Sequence, residues 1–103
     1  MAANFRRIKT ADLSMSSTLL YTAPANTKVI VMGFVISNKS SGQINIVVTA
    51  GDVQITGTNT PVPAGSALSI LDGKIVLEPG DQVIATCNQA ASADSYLSLV
   101  EMT

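Results

Sequence analysis

The sequence predicts an all-β fold: a single-domain antiparallel β-sandwich, jelly-roll-like, of seven to nine short strands. Three observations predict it. Apolar and polar residues alternate over short stretches, most clearly in QINIVVTA, Gln43 to Ala50. Turn signals built from Gly, Pro, Asn, Asp and Ser recur at the roughly 8–12-residue spacing of sandwiches and barrels. No segment carries a helical period over about a dozen residues. A chain of 103 residues is one domain. It buries roughly 60–68% of its unfolded surface, which makes a modest but self-sufficient core.

Met1 to Ser17 is polar and weakly patterned, and reads as an N-terminal arm (1–17) with one short strand at Phe5–Lys9. The sandwich domain then covers 18–103. Thr18–Thr22 is a short strand closed by Ala23-Pro24-Ala25-Asn26. Thr27–Ser37 (TKVIVMGFVIS) is the strongest strand signal. Its run Val29–Ile36 is apolar apart from Gly33, which implies cover on both faces, from the arm or from a neighbouring subunit. Asn38–Gly42 is a turn cluster. Gln43–Ala50 and Asp52–Thr56 alternate, with Ile44, Ile46, Val48, Val53 and Ile55 expected inward and the turn at Gly51-Asp52 between them. Gly57–Gly65 is expected as a loop, because Pro61 and Pro63 exclude a central strand. Ser66–Leu71 is a short apolar stretch. Asp72-Gly73 signals a tight hairpin. Ile75–Glu78 and Gln82–Cys87 are strands, Asn88–Asp94 a polar loop and Ser95–Met102 the closing strand.

The turn Glu78-Pro79-Gly80-Asp81 is informative. Proline presets φ at the second turn position and glycine accepts φ > 0 at the third, as a type II turn requires. Type II turns suit tight two-residue hairpins poorly. The flanking strands are therefore expected to splay, or to belong to different sheets.

Composition narrows the function classes. Hydrophobic residues make up 47% and charged residues 13%, about half the usual ~25% of charge. So little charge implies a surface partly covered by partner subunits. The net charge of −1 provides no field for nucleic acid or an anionic membrane. Arg6, Arg7 and Lys9 lack interleaved aromatics and read as a solvated cluster. No stretch approaches the ~18 apolar residues of a membrane helix, and no apolar segment of the signal-peptide kind follows the basic residues. Histidine is absent, which removes the commonest general base and most transition-metal sites. Cys87 stands alone in an apolar run and reads as a buried, inert thiol. The aspartates Asp52, Asp72 and Asp81 occupy glycine-containing turns, where they bond local backbone. Asn38-Lys39-Ser40 matches the glycosylation pattern by chance. The expectation is a protein that is not an enzyme, with no catalytic, cofactor or metal residues.

Five segments carry a resemblance: YTAPANT (Tyr21–Thr27), VIVMGFVISNKSSG (Val29–Gly42), PVPAGSAL (Pro61–Leu68), GKIVLEPGDQVIAT (Gly73–Thr86) and LSLVE (Leu97–Glu101). Together they resemble small β-sandwich virion structural proteins of tailed bacteriophages, of the capsid decoration or cement type. The likeness runs from Thr18 to Thr103 and rests mainly on turn chemistry. It implies a homotrimer that bridges and stabilises major capsid protein subunits on the virion, assembled in the host cytoplasm, without nucleic acid or membrane as partners. A tail or fibre component, or a receptor-binding module using Thr58–Ala64, is the alternative it implies. On this reading Phe5, Arg6, Arg7 and Ile8 contact the capsid, and Val31, Gly33 and Val35 mediate self-association.

Overall fold

The computed structural model describes residues 3–57, 60–71 and 73–103. Its strands are β1 (Ala3–Thr10), β2 (Thr18–Thr22), β3 (Lys28–Asn38), β4 (Ile44–Ala50), β5 (Val53–Gln54), β6 (Thr60–Val62), β7 (Ala67–Ser69), β8 (Ile75–Leu77), β9 (Gln82–Cys87) and β10 (Ala93–Met102). The first sheet has the order β1-β10-β3, with β7 and β8 both on the far side of β3. The second has the order β2-β9-β4, with β5 and β6 both on the far side of β4. Every pairing is antiparallel.

The ten strands occupy eight lines. β7 pairs with Val35–Ser37 and β8 with Val29–Val31, so the two lie end to end along β3 and run the same way. β5 and β6 do likewise along β4. The pairing is then nested: first line with last, second with second-last, and inward to β4 with β5 and β6. A long hairpin wound over itself pairs in this way, and the result is the jelly roll. The hairpin expected at Asp72-Gly73 is corrected by this arrangement. Asp72 lies outside the described residues, but β7 and β8 pair with β3 and not with each other. The expected loop Gly57–Gly65 likewise contains β6, with Pro61 on an edge where its missing N–H costs no ladder bond.

Turn chemistry sends the chain between sheets. The Glu78–Asp81 turn closes with the Asp81 amide donating to the Glu78 carbonyl at 3.0 Å, and Gly80 adopts φ 90°. It carries the chain from β8 in one sheet to β9 in the other, as the poor fit of such turns to hairpins predicts. Gly51 and Asp52 both have positive φ (57° and 64°), as a tight type I′ turn requires between β4 and β5. A side chain at Gly51 would also meet the Asp81 carboxylate at 3.2 Å.

Alternation decides what faces the core. Val29, Val31, Phe34 and Ile36 of β3, with Leu97 and Leu99 of β10, are fully buried against Ile44, Ile46 and Val48 of β4 and Val83, Ala85 and Cys87 of β9. The β3–β10 register slips between Ser98 and Leu99. The extra β3 residue there, Met32, lets Val31 and Phe34 both point inward although they are three apart. Val53, expected inward, is exposed at the end of its two-residue edge strand.

The segment expected as an arm is joined to the sandwich. β1 pairs with β10 over its whole length, Ala3 opposite Met102 to Thr10 opposite Ser95. Leu13 is fully buried, its amide donating to the Ala93 carbonyl and its carbonyl accepting from Ala91. β1 lies beside β10 in the plane of the sheet, so it does not cover the outer face of β3.

Ser95 points inward opposite Ile36, and its hydroxyl is buried without a hydrogen-bond partner among the described residues. A buried unpaired hydroxyl costs about 1–3 kcal/mol. Ser95→Ala is therefore expected to raise the unfolding free energy by about 1 kcal/mol in urea titration; a loss of that size would contradict the burial described.

Candidate interaction surface

The outer face of the first sheet follows from the same register. Residues that do not face the core line up across the strands in rows. One row runs Phe5, Val100, Ile30, Val76. Another runs Lys9, Tyr96, Val35, Ser69. Phe5 is 76% exposed and Val76 59%, with Met32, Val35 and Tyr96 each about two-fifths exposed. These apolar side chains share one face of one sheet, and scattered surface hydrophobes would not. A shallow groove of about 430 Å³ crosses the face at Lys9, Thr10, Val35, Ser37 and Tyr96.

Asp94 also lines the groove, but it is paired with Lys39, and the charges of this face without an ion pair among the described residues are cationic. Arg7, Lys9 and Lys28 point outward with the apolar rows, and none of them forms an ion pair among the described residues. Lys39 is engaged at the far end of the sandwich, with Asp12 and, at 3.0 Å, with Asp94. Those carboxylates raise the affinity of Lys39 for its proton. Asp94 is held below the usual carboxylate range, first by the Asp12 amide that donates to it and then by Lys39.

A polar cluster closes the opposite edge between the sheets. Glu101 faces inward from β10; it accepts from the Tyr21 hydroxyl of β2 and pairs with Arg6 of β1 at 3.1 Å. The ion pair is half-exposed on the arginine side, so it adds little by itself. The Tyr21 bond ties one sheet to the other. Burial, the Glu101 hydrogen bond and the Glu101 charge together push the Tyr21 hydroxyl well above its ordinary value of 10.0, while Arg6 opposes them.

The residues singled out in the sequence divide by face. Phe5 and Arg7 lie on the exposed face, as do Gly33 and Val35. Arg6 turns inward to Glu101, and Ile8 packs partly buried against the core. Val31 is a correction: fully buried between the sheets, it holds the sandwich together and has no surface to offer another copy. The contributors to this face missed by sequence reading are Val76 and Tyr96, which are exposed, Ile30, which is partly buried, and Val100, which is largely covered by its neighbours in the row. Only the antiparallel pairing puts them in rows with Phe5 and Val35. Nor does any sequence signal bring Arg6, Tyr21 and Glu101 together.

Other candidate chemistry is occupied by structure. Asp81 accepts from the Glu78 amide at 2.9 Å inside its own turn. Asn38 is buried and donates to the carbonyls of Gly42 and Val62, so its amide is spent on holding the β3–β4 turn. Among the described residues no cluster of three or more acidic, cysteine or histidine side chains is placed to hold a metal.

The Tyr21 interaction makes a pH prediction. The folded protein keeps this phenol protonated to higher pH than the unfolded chain does. Its contribution is complete below pH 10 and is lost as the pH rises from there through the raised folded value. Between pH 10 and 11 the wild type should lose about 1 kcal/mol more stability than Tyr21→Phe, by denaturant titration at each pH; parallel curves would show that the bond to Glu101 is not maintained.

No family model matches the chain, and no curated protein matches it. Among solved structures, it is similar to a chain from Bacillus endospore appendages, described as a novel family of disulfide-linked pili. The two share 17% identity with a TM-score of 0.60, over 99% of this chain and 87% of the other. At that identity the likeness is one of fold: a small β-sandwich.

Proposed function

We propose that this chain is a structural subunit of a multi-copy protein assembly, with docking as its work and no bond-making chemistry. The observation that carries the reading is the open outer face of the first sheet. Apolar side chains are aligned across four strands there on a chain with little charge elsewhere to compensate. Burying such a face yields roughly 25 cal/mol per Å² gross, and repetition over many copies multiplies the effect.

The finer form of the proposal is decoration of a tailed-phage head. The turn motifs described above support it. A homotrimer seated on the major capsid protein would bridge neighbouring capsid subunits, so that separating them re-exposes the apolar rows. A second reading, a fibre or appendage subunit, is favoured by the fold shared with the pilus chain.

Mixing the purified protein with phage heads that lack it tests the decoration reading. Saturable binding that raises the temperature at which heads open is expected. Absence of binding, together with a monomer at all concentrations in sedimentation, would remove it.

The fibre reading carries its own constraint. Cys87 is fully buried on the inner face of β9, so copies of this chain are joined without disulfides. The thiol should be inert to an aromatic disulfide reagent in native buffer and react fully in guanidinium. Rapid native labelling would show that the two sheets part around β9.

A further inference from the structure

The two sheets expose four edges, and three of them are blunted. One edge of the first sheet is broken into β7 and β8, of three residues each. One edge of the second is broken into β5 and β6, of two and three residues, with Pro61 in β6. The other edge of the second sheet, β2, has five residues and a register shift between Leu19 and Tyr21. Short strands, proline and bulges are the devices that keep a sheet edge from pairing with another chain.

β1 has none of these three; its Arg6, Arg7 and Lys9 supply a fourth, charge, which repels a cationic strand and leaves the edge open to an acidic one. β1 is eight residues long, without Gly, Pro or bulge, and in unbroken register with β10. Among the described residues, its backbone bonds to no element other than β10. Its outward side chains are Phe5, at the end of the apolar row, and the unpaired cations Arg7 and Lys9.

We propose that the free edge of β1 receives an extended segment of a partner protein as an added strand. That segment carries acidic residues opposite Arg7 and Lys9 and an apolar residue opposite Phe5. Main-chain bonds then supply affinity and the alternate side chains supply specificity. The added strand continues the row Phe5, Val100, Ile30, Val76 by one position and buries Phe5.

A second copy of this chain is the wrong occupant. Pairing β1 antiparallel with β1, faces matched, opposes Arg6 to Arg6 or Arg7 to Arg7 in the two registers of longest overlap, and opposed like charges destabilise a ladder. The acids of this chain that form no ion pair among the described residues, Asp52, Glu78 and Asp81, lie in or beside turns and not on a strand. The occupant is an acidic, alternating segment of a different protein.

This inference rests on the docking role proposed above, and its test separates the two. The probes are a blocked nonapeptide of threonine with glutamate at its third and fifth positions and valine at its seventh, to lie opposite Lys9, Arg7 and Phe5, and its counterpart with lysine in place of glutamate, followed by amide NMR. The glutamate peptide should bind saturably, protect amides within Ala3–Thr10 from exchange and bind about tenfold more tightly than the lysine peptide. The double variant Arg7→Glu, Lys9→Glu, both exposed, should reverse that preference while leaving the β3–β10 amides protected as before. No saturable binding, equal binding of the two peptides, or protection centred on another edge overturns the proposal. If the double variant joins assemblies as well as wild type does, the strand-addition inference falls and the structural role stands. If wild type binds the peptide but joins no assembly, the converse holds.

Discussion

Everything in this molecule depends on the ladder between β3 and β10. It joins residues 28–38 to residues 93–102, places the last strand in the middle of the first sheet, and gives β1 its one paired strand among the described residues. Its inward side chains, from Val29 to Ile36 and from Leu97 to Leu99, are about a third of the core. Because the pairing is long-range, it is set late in the chain and at high loop-closure cost. Only the burial of that apolar face against β4 and β9 offsets the cost. The bulge at Met32 lets the ladder stay continuous while the alternation is reset.

The same ladder creates the uncovered face. A sandwich buries the inner side of each sheet and leaves the outer sides to water or to partners. In the first sheet the outer side is apolar in rows and cationic at Arg7, Lys9 and Lys28. The second sheet carries its acids in turns at one end, around Gly51-Asp52 and Glu78–Asp81. Most of the cations and most of the large exposed apolar side chains thus lie on one sheet, which gives the protein a directional surface from an almost neutral sequence. The Arg6–Glu101–Tyr21 cluster stitches β1 and β10 to β2, so the edge strand is held to both sheets.

Much of this was legible in the residues. The strands at 28–38, 44–50, 82–87 and 93–102 follow from alternation and β-branched content, and the Glu78–Asp81 turn correctly implies a change of sheet. The inner and outer faces of the β3 run were not legible. Val29–Ile36 is apolar at nearly every position, so no period distinguishes Val31, which is buried, from Val35, which is not. That the N-terminal strand would lie beside β10, and not over β3, was equally hidden, because Phe5–Lys9 looks the same as an arm or as an edge.

Local chemistry by itself determined that the chain makes strands, where it turns, and that Cys87 is enclosed among apolar neighbours, since φ preferences and alternation act over a few residues. Only the tertiary structure decided which strands pair, which side chains share a row, and which edge stays open. Those are relations between residues up to about a hundred positions apart, and they are set by the mutual burial of faces, for which no single segment holds the information.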